Sequence, residues 1–417
     1  MLSAAASAAA APARGAGQAT AGRAAAGAAV IVTTTTSRFG RVLVTGSGRS
    51  LYTFTGDGFP FSPTGTPQLA CTALNKDEGA KCTDAWPPLL ATGRLVAKGG
   101  VRQAGLGTVT RNHVKQVTYF GHPLYRFVND VAARQMNGQN YPAFKGQWYL
   151  DLTSGRPAIG VASVMTERTS RLGTVLAGRT ALGRRTLYTL SFDGPNMTTC
   201  TGPCAAFWPP LLTSRRAMAG PGVSQRLIGT LRRPDGSLQV TYHGHPVYMF
   251  SFDLVAQALV KVLTNGEYLI DPAASGVWYT VTPRGTPDPG TTTVGSEPSG
   301  TATILAITNE GFTHATATLY AFSIDTASVS KCTGLCAKFW PPVLTTRGVK
   351  AGPGVNQHML GTLRRADGTT QVKYNGHPLY FFALGLNSGT SGAGAPVFGG
   401  VFNLVNTNGT VGGGGGW

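Results

Sequence analysis

The stretch that decides the fold reads Cys200-Thr201-Gly202-Pro203-Cys204-Ala205-Ala206-Phe207-Trp208-Pro209-Pro210-Leu211-Leu212. Two cysteines lie close together, and an aromatic pair runs into two prolines that stop regular pairing or hold it at an edge. The same words return as Cys332-Thr333-Gly334-Leu335-Cys336 and Phe339-Trp340-Pro341-Pro342, and in thinner form as Trp86-Pro87-Pro88. Working outward, Leu187-Tyr188-Thr189-Leu190 precedes this stretch, and Gly229-Thr230-Leu231-Arg232-Arg233 and Gly244-His245-Pro246-Val247-Tyr248 follow it. Leu319-Tyr320-Ala321-Phe322, Gly361-Thr362-Leu363-Arg364-Arg365 and Gly376-His377-Pro378-Leu379-Tyr380 repeat them, and the first copy has Leu51-Tyr52-Thr53-Phe54 and Gly121-His122-Pro123-Leu124-Tyr125. Trp86 to Tyr125 spans 39 positions, and Trp208 to Tyr248 and Trp340 to Tyr380 each span 40. Such constancy between diverged copies points to one tertiary unit used three times.

Each copy also echoes itself. Tyr52, Phe54 and Asp57 follow a Tyr-x-aromatic-x-x-Asp pattern that returns in Tyr125, Phe127 and Asp130. Tyr320, Phe322 and Asp325 repeat it. Asp193 and Asp253 hold the acidic positions of copy two, where Leu190 replaces the first aromatic.

The units read as β. Arg41–Thr45 and Leu51–Phe54 are strands around a Gly-Ser-Gly turn, and Asp235-Gly236 is a hairpin turn before Leu238–Tyr242. His243-Gly244 and Asn375-Gly376 mark the next reversal. Gln147–Asp151 and Val277–Val281 are closing strands, and Asp253–Leu263 is a short helix or a strand. The expected fold class is all-β, with three tandem homologous small β domains on a string. A propeller-like ring of half-repeat blades is the alternative. The expected domains are 33–153, 166–282 and 301–405. A Pro/Gly/Thr linker is expected at 283–300 and a Gly-rich tail at 406–417. Residues 1–32 form an Ala/Gly-rich leader, a truncated secretion signal or a disordered segment, with Ala11-Pro12-Ala13 as an A-x-A-like cleavage site.

In 417 residues there are 35 Lys+Arg against 17 Asp+Glu, a formal net charge of +18, yet only 12% of residues are charged. About a quarter is usual. No apolar run reaches the roughly 18 residues of a membrane-spanning helix. No nucleophile elbow, phosphate loop, dinucleotide fingerprint or nucleic-acid module is present, so no cofactor and no specific nucleic acid is implied.

The combination of Leu-Tyr-x-Phe-x-x-Asp, the close cysteine pair, Trp-Pro-Pro and Gly-His-Pro-Leu-Tyr resembles the bacterial "secreted repeat" family. These are predicted envelope lipoproteins with a Tyr-x-(Phe/Trp/Tyr)-x-x-Asp motif and no assigned function. The resemblance implies a secreted or surface-attached, cell-envelope protein. No cysteine stands near the N-terminus to take a lipid, a departure from the family's anchoring pattern.

The candidate groups follow from chemistry. Cys71/Cys82, Cys200/Cys204 and Cys332/Cys336 form one local pair per copy, as disulfides do in an oxidising compartment. Alternatively, with His122, His245 and His377, they would serve redox work or hold copper or zinc. Trp86, Trp208 and Trp340 with Tyr125, Tyr248 and Tyr380 would make an aromatic platform for a ligand, or fill the core. Arg232, Arg233, Arg364 and Arg365 recur beside the hairpin and suit phosphate or carboxylate. The strand-end Asp pair, Asp193 with Asp253, would act as acid and base in a hydrolase, or cap turns. The leading expectation is a non-enzymatic envelope protein that binds an anionic surface polymer, lipid head groups or a protein partner. A redox or metal-binding envelope protein is the runner-up.

Overall fold

The structure is a computed structural model. It describes residues 28–57, 69–77, 79–144, 146–169, 172–180, 183–234, 236–254, 264, 266–267, 276–308, 316–384 and 389–412. The fold is all-β, with helices of no more than five residues. Among the described residues the sheets are open ladders of two to six strands, with no closed barrel or propeller. The expected leader and the end of the tail lie mostly outside the described residues. So does the helix-or-strand segment after Leu254.

The same element order recurs along the chain. A first hairpin pairs Val30–Ser37 with Gly40–Thr45, and a short parallel strand, Leu95–Ala97, joins its edge. Ser163–Thr169 with Gly173–Thr180 and Met218–Ala219, and Thr292–Ser299 with Ala302–Thr308 and Val349–Ala351, repeat it. A meander follows: Leu106–Arg111, Val114–Tyr119 and His122–Pro123, matched by Ile228–Arg232, Leu238–Tyr242 and His245–Pro246, and by Leu360–Arg364, Thr370–Tyr374 and His377–Tyr380. The reversal before each His-Pro has two central residues at positive φ. They are Phe120 and Gly121 (47° and 85°), His243 and Gly244 (49° and 82°), and Asn375 and Gly376 (44° and 83°). This is a type I′ turn, whose twist matches that of the strands it joins. A closing strand then returns beside the first tyrosine strand: Gly146–Leu150 on Tyr52–Phe54, Trp278–Thr280 on Tyr188–Leu190, and Gly400–Leu404 on Tyr320–Phe322.

Two expectations change here. Residues 292–299 fall within the stretch read as a linker, yet they form a strand. Thr292, Val294 and Gly295 are buried there, and Val294 joins a core cluster. The Pro/Gly/Thr composition masked a partly polar strand that lies between Ala302–Thr308 and Val349–Ala351. The units are also not beads on a string. The closing strand Gly146–Leu150 is buried along its whole length, as is Trp278–Thr280. Successive strand residues face opposite ways, so a strand buried throughout is covered on both sides. Trp148 points into its own unit. Tyr149 lines a cleft against Leu211, Leu212 and Met249 of the next unit. Tyr279 likewise belongs to one core cluster with Val343, Leu379 and Phe381 of the third unit.

Candidate functional site

Each unit is centred on two tyrosines. Tyr52 and Tyr125 sit opposite one another and exchange both backbone hydrogen bonds, each 2.9 Å. Tyr188 and Tyr248 do the same at 2.8 and 2.9 Å. Around this point the two halves of the unit cross. The Tyr52 hydroxyl donates to Asp130 Oδ2 and the Tyr125 hydroxyl to Asp57 Oδ2, both at 2.6 Å. In the second unit Tyr188 donates to Asp253 (2.6 Å) and Tyr248 to Asp193 (2.5 Å). Each aspartate of the Tyr-x-aromatic-x-x-Asp pattern therefore serves the tyrosine of the other half. In the third unit Tyr380 donates to Asp325, and Tyr320 turns to the Gly389 carbonyl (3.1 Å). The other carboxylate oxygen closes a loop by accepting a backbone N–H: Ala70 for Asp57, Thr199 for Asp193 and Lys331 for Asp325, each 2.7 Å.

The aromatic residues of the pattern build a column of rings. Trp86 stacks on Trp148 at 3.9 Å, with Phe127 on its other face at 4.2 Å, and Phe54 covers Trp148 at 4.3 Å. Trp340 lies between Phe402 (3.8 Å) and Phe382 (4.5 Å), with Phe322 beyond at 4.2 Å. In the second unit Trp208 lies between Trp278 (3.8 Å) and Phe250 (4.4 Å), and Leu190 takes the outer place. Trp86, Trp208 and Trp340 are 0, 1 and 2% exposed, and Tyr125, Tyr248 and Tyr380 are fully buried. They form no ligand platform; burial of large aromatic area is what holds each unit together. Gly138, Gly266 and Gly392 press against the tryptophans, so that a Cβ there would meet the indole at 2.5 to 2.6 Å.

The six cysteines are all paired as Cys71–Cys82, Cys200–Cys204 and Cys332–Cys336, with Cα separations of 5.3, 5.2 and 5.2 Å. Cys204 and Cys336 sit in the short helices Pro203–Phe207 and Leu335–Phe339. Their partners lie in the preceding loops, not in the same helical turn. A buried arginine holds each loop down. Arg111, Arg233 and Arg365 donate to the carbonyls of Cys71, Cys200 and Cys332, and also to Gln116, Gln239 and Gln371. Arg233 and Arg365 therefore leave the set of surface ligand groups. Arg232 and Arg364 stay exposed on the hairpins. Copy one has no Arg doublet, which hides from sequence reading that Arg111 fills the same role.

Disulfide-bonded sulfurs are not thiolate ligands, and among the described residues no three His, Cys, Asp or Glu side chains come together as a metal site. The metal reading of His122, His245 and His377 falls with that observation. His122 is buried, and loss of hydration pulls its pKa down to about 3, so it is neutral. Burial lowers His245 as well, with the nearby His243 charge adding to the effect. The strand-end aspartates are equally occupied. Burial raises Asp57 to about 6 although Tyr125 and backbone N–H groups oppose it, and it raises Asp130, Asp193 and Asp325 too. These are structural carboxyls bonded to tyrosines and do not form an open acid–base pair.

The interfaces between units differ. At the second one, Asp288 accepts from Thr346 Oγ1 (2.6 Å) and Arg347 (3.1 Å), and Arg347 also reaches the Leu172 carbonyl. At the first, the same positions are Ala158, Ser214 and Arg215. The matching backbone bonds survive, Ser214 N–H to Gly160 (2.7 Å) and Thr346 N–H to Gly290 (3.0 Å). With no bridge there, a cleft of about 320 Å³ opens between the units. Its walls include Arg38, Phe39, Tyr149, Gly160, Arg179 and Met249. Both arginines are exposed, and among the described residues no carboxylate pairs with either.

A family model described as a secreted repeat of unknown function matches residues 107–150 and 361–400. These two segments are similar to that secreted repeat. The matched segments run from the meander through Gly-His-Pro-Leu-Tyr to the closing strand of the first unit, and to the start of the closing strand of the third. In both, the secreted-repeat segment holds the second tyrosine and the partner face of the ring column. No curated protein and no solved structure matches the chain. Among the described residues no helix is long and apolar enough to cross a membrane.

Proposed function

We propose that the protein is a non-enzymatic, secreted or cell-envelope repeat protein whose basic exterior binds an anionic surface polymer. We also propose that its three β units, with boundaries near 153–162 and 283–291, are copies of one module. One observation carries the functional reading. The cysteines, tyrosines and strand-end aspartates that recur from unit to unit are bonded to one another, while basic groups such as Arg232 and Arg364 stay at the surface. A chain of net charge +18 presents such groups to any polyanion it meets. The first interface cleft adds two arginines, Arg38 and Arg179, on a wall that also carries Gln139 and Asn140.

Titration of the protein with poly(glycerol phosphate), and separately with phosphatidylglycerol vesicles, tests the reading. Affinity should fall steeply between 0.1 and 1 M salt, over which the screening length drops from about 10 to about 3 Å. An isotherm unchanged by salt, or no binding at 0.1 M, overturns it. Retention on vesicles alone would assign the charge to lipid head groups instead of a polymer.

A further inference from the structure

The unit-to-unit contact is made by two positions that can be followed through the chain. The donating position is the outward residue of the closing strand: Tyr149, then Tyr279, then Asn403. Their equivalence is fixed by register, because they oppose Thr53, Thr189 and Ala321. The receiving position follows the second tyrosine: Arg126, then Met249, then Phe381. Their backbone N–H groups donate to Pro87, Pro209 and Pro341, at 2.9, 2.8 and 2.8 Å.

At both internal contacts a tyrosine meets an apolar receiver. Tyr149 and Met249 line one cleft, and Tyr279 and Phe381 share one core. The Tyr279 hydroxyl also reaches the Pro342 carbonyl (3.3 Å). The two positions that face no other unit among the described residues are the two that break the pattern. Arg126 is exposed at the receiving face of the first unit, and Asn403 stands at the donating face of the third. The surroundings follow suit. Leu90 of the first unit is 38% exposed, against 7 and 6% for its counterparts Leu212 and Leu344. The last closing strand, Gly400–Leu404, is buried on alternate residues, whereas Gly146–Leu150 is buried throughout.

Stacked repeats whose internal faces are apolar need polar outer faces at their ends to stay soluble and finite. An arginine placed in an apolar receiver would be a desolvated, unpaired charge, and an asparagine offers no ring to fill it. We infer that Arg126 and Asn403 are end caps, which stop a second copy of this chain from docking head to tail through the face that joins its own units.

The test uses the full chain and restores the internal residue at each end. Arg126→Met and Asn403→Tyr, each alone, leave one end blocked and should remain monomeric by light scattering. Mixed one to one, they should form a dimer that grows no further, because only one complementary pair of ends is open. The double variant should form concentration-dependent linear oligomers. Association is expected in the range of hundreds of micromolar, since the intermolecular contact lacks the roughly millimolar effective concentration that a short connection provides. Near- and far-ultraviolet circular dichroism checks that each variant is folded. A folded double variant that is monomeric up to about 1 mM overturns the proposal. So does wild-type protein that associates as readily as the mixture. Oligomers formed by either single variant alone would show that the two faces are not the complementary pair, and would overturn it too.

Discussion

Asp151 offers the sharpest test of how this core is built. Its backbone holds a structural place, since its carbonyl accepts the Leu43 N–H at 2.8 Å, as the carbonyls of Val281 and Val405 accept Leu176 and Leu305. Its side chain does not fit that place. It is fully buried, and among the described residues neither carboxylate oxygen has a partner at hydrogen-bond geometry; the Leu152 N–H, which opposes the effect of burial only weakly, donates to the Arg156 carbonyl. The Asp151 charge bears in turn on Tyr119, whose hydroxyl donates to the Thr153 carbonyl. Burial pushes the Asp151 carboxyl well above the ordinary range. The folded state therefore keeps a proton that the unfolded chain releases near pH 4. A raised folded pKa means that stability is highest below the unfolded value and falls as pH rises, by about 1.4 kcal/mol per pH unit while the folded carboxyl stays protonated. Asp151→Val places the residue of the other two units at this position and removes that slope. Between pH 4 and 7 the stability gap between variant and wild type should widen by about 4 kcal/mol if the proton is held throughout. Urea unfolding followed by tryptophan fluorescence at pH 4 to 8 measures it, since Trp86 and Trp148 lie in the same unit. Parallel pH profiles for the two proteins would refute the account, and so would a variant less stable at pH 7.

Other positions give further expectations. Tyr248→Phe removes the donor to Asp193 and should destabilise by about 1–3 kcal/mol at neutral pH. The loss should be smaller at pH 4, because Asp193 without its tyrosine is more readily neutral; equal losses at both values would count against the pairing. Replacing Cys71 and Cys82 by alanine should lower stability more than replacing Cys200 and Cys204, about 3 against about 2 kcal/mol, because the first pair spans 11 residues and the second 4. Denaturation midpoints decide the order. Ala158→Asp should recreate at the first interface the bridge that Asp288 makes at the second. It should raise the melting temperature by about 2–4 °C for a gain near 1 kcal/mol, and a lower melting temperature would show that Arg215 does not reach the new carboxylate.

Much of the architecture is legible in the sequence because it is local. The Asn-Gly and His-Gly turns, the closing strands around Trp148 and Trp278, and one cysteine pair per copy are each short-range signals. The chemistry assigned to the candidate residues was misread for the opposite reason. Tyr52 and Asp130 are 78 positions apart, and Tyr125 and Asp57 are 68 apart. Spacing within the motif places Asp57 five residues after Tyr52, but nothing in it says that the hydroxyl it binds belongs to the other half. Arg233 and Arg232 are indistinguishable by type, and alternation along the hairpin alone puts one inside and the other in solvent. The strand at 292–299 is hidden because a strand with only part of its length buried can be built from Thr, Gly and Pro. Nothing within its own copy marks Tyr149 as a contact residue, because its partner lies in the next copy.

The crossed tyrosine–aspartate pairs also bear on how a unit comes to be folded. Neither half can complete its own hydrogen bonds, so each half alone would leave a carboxylate and a phenol unsatisfied. The contacts that end this join residues 55 to 78 positions apart, and such non-local closure is slow because the loop entropy is lost before the contact forms. A unit should accordingly acquire its structure in one late step, with few stable partial forms on the way. A chain emerging in the N-to-C direction would hold its first tyrosine strand unfinished until the Gly-His-Pro-Leu-Tyr segment, and then the closing strand, have both arrived.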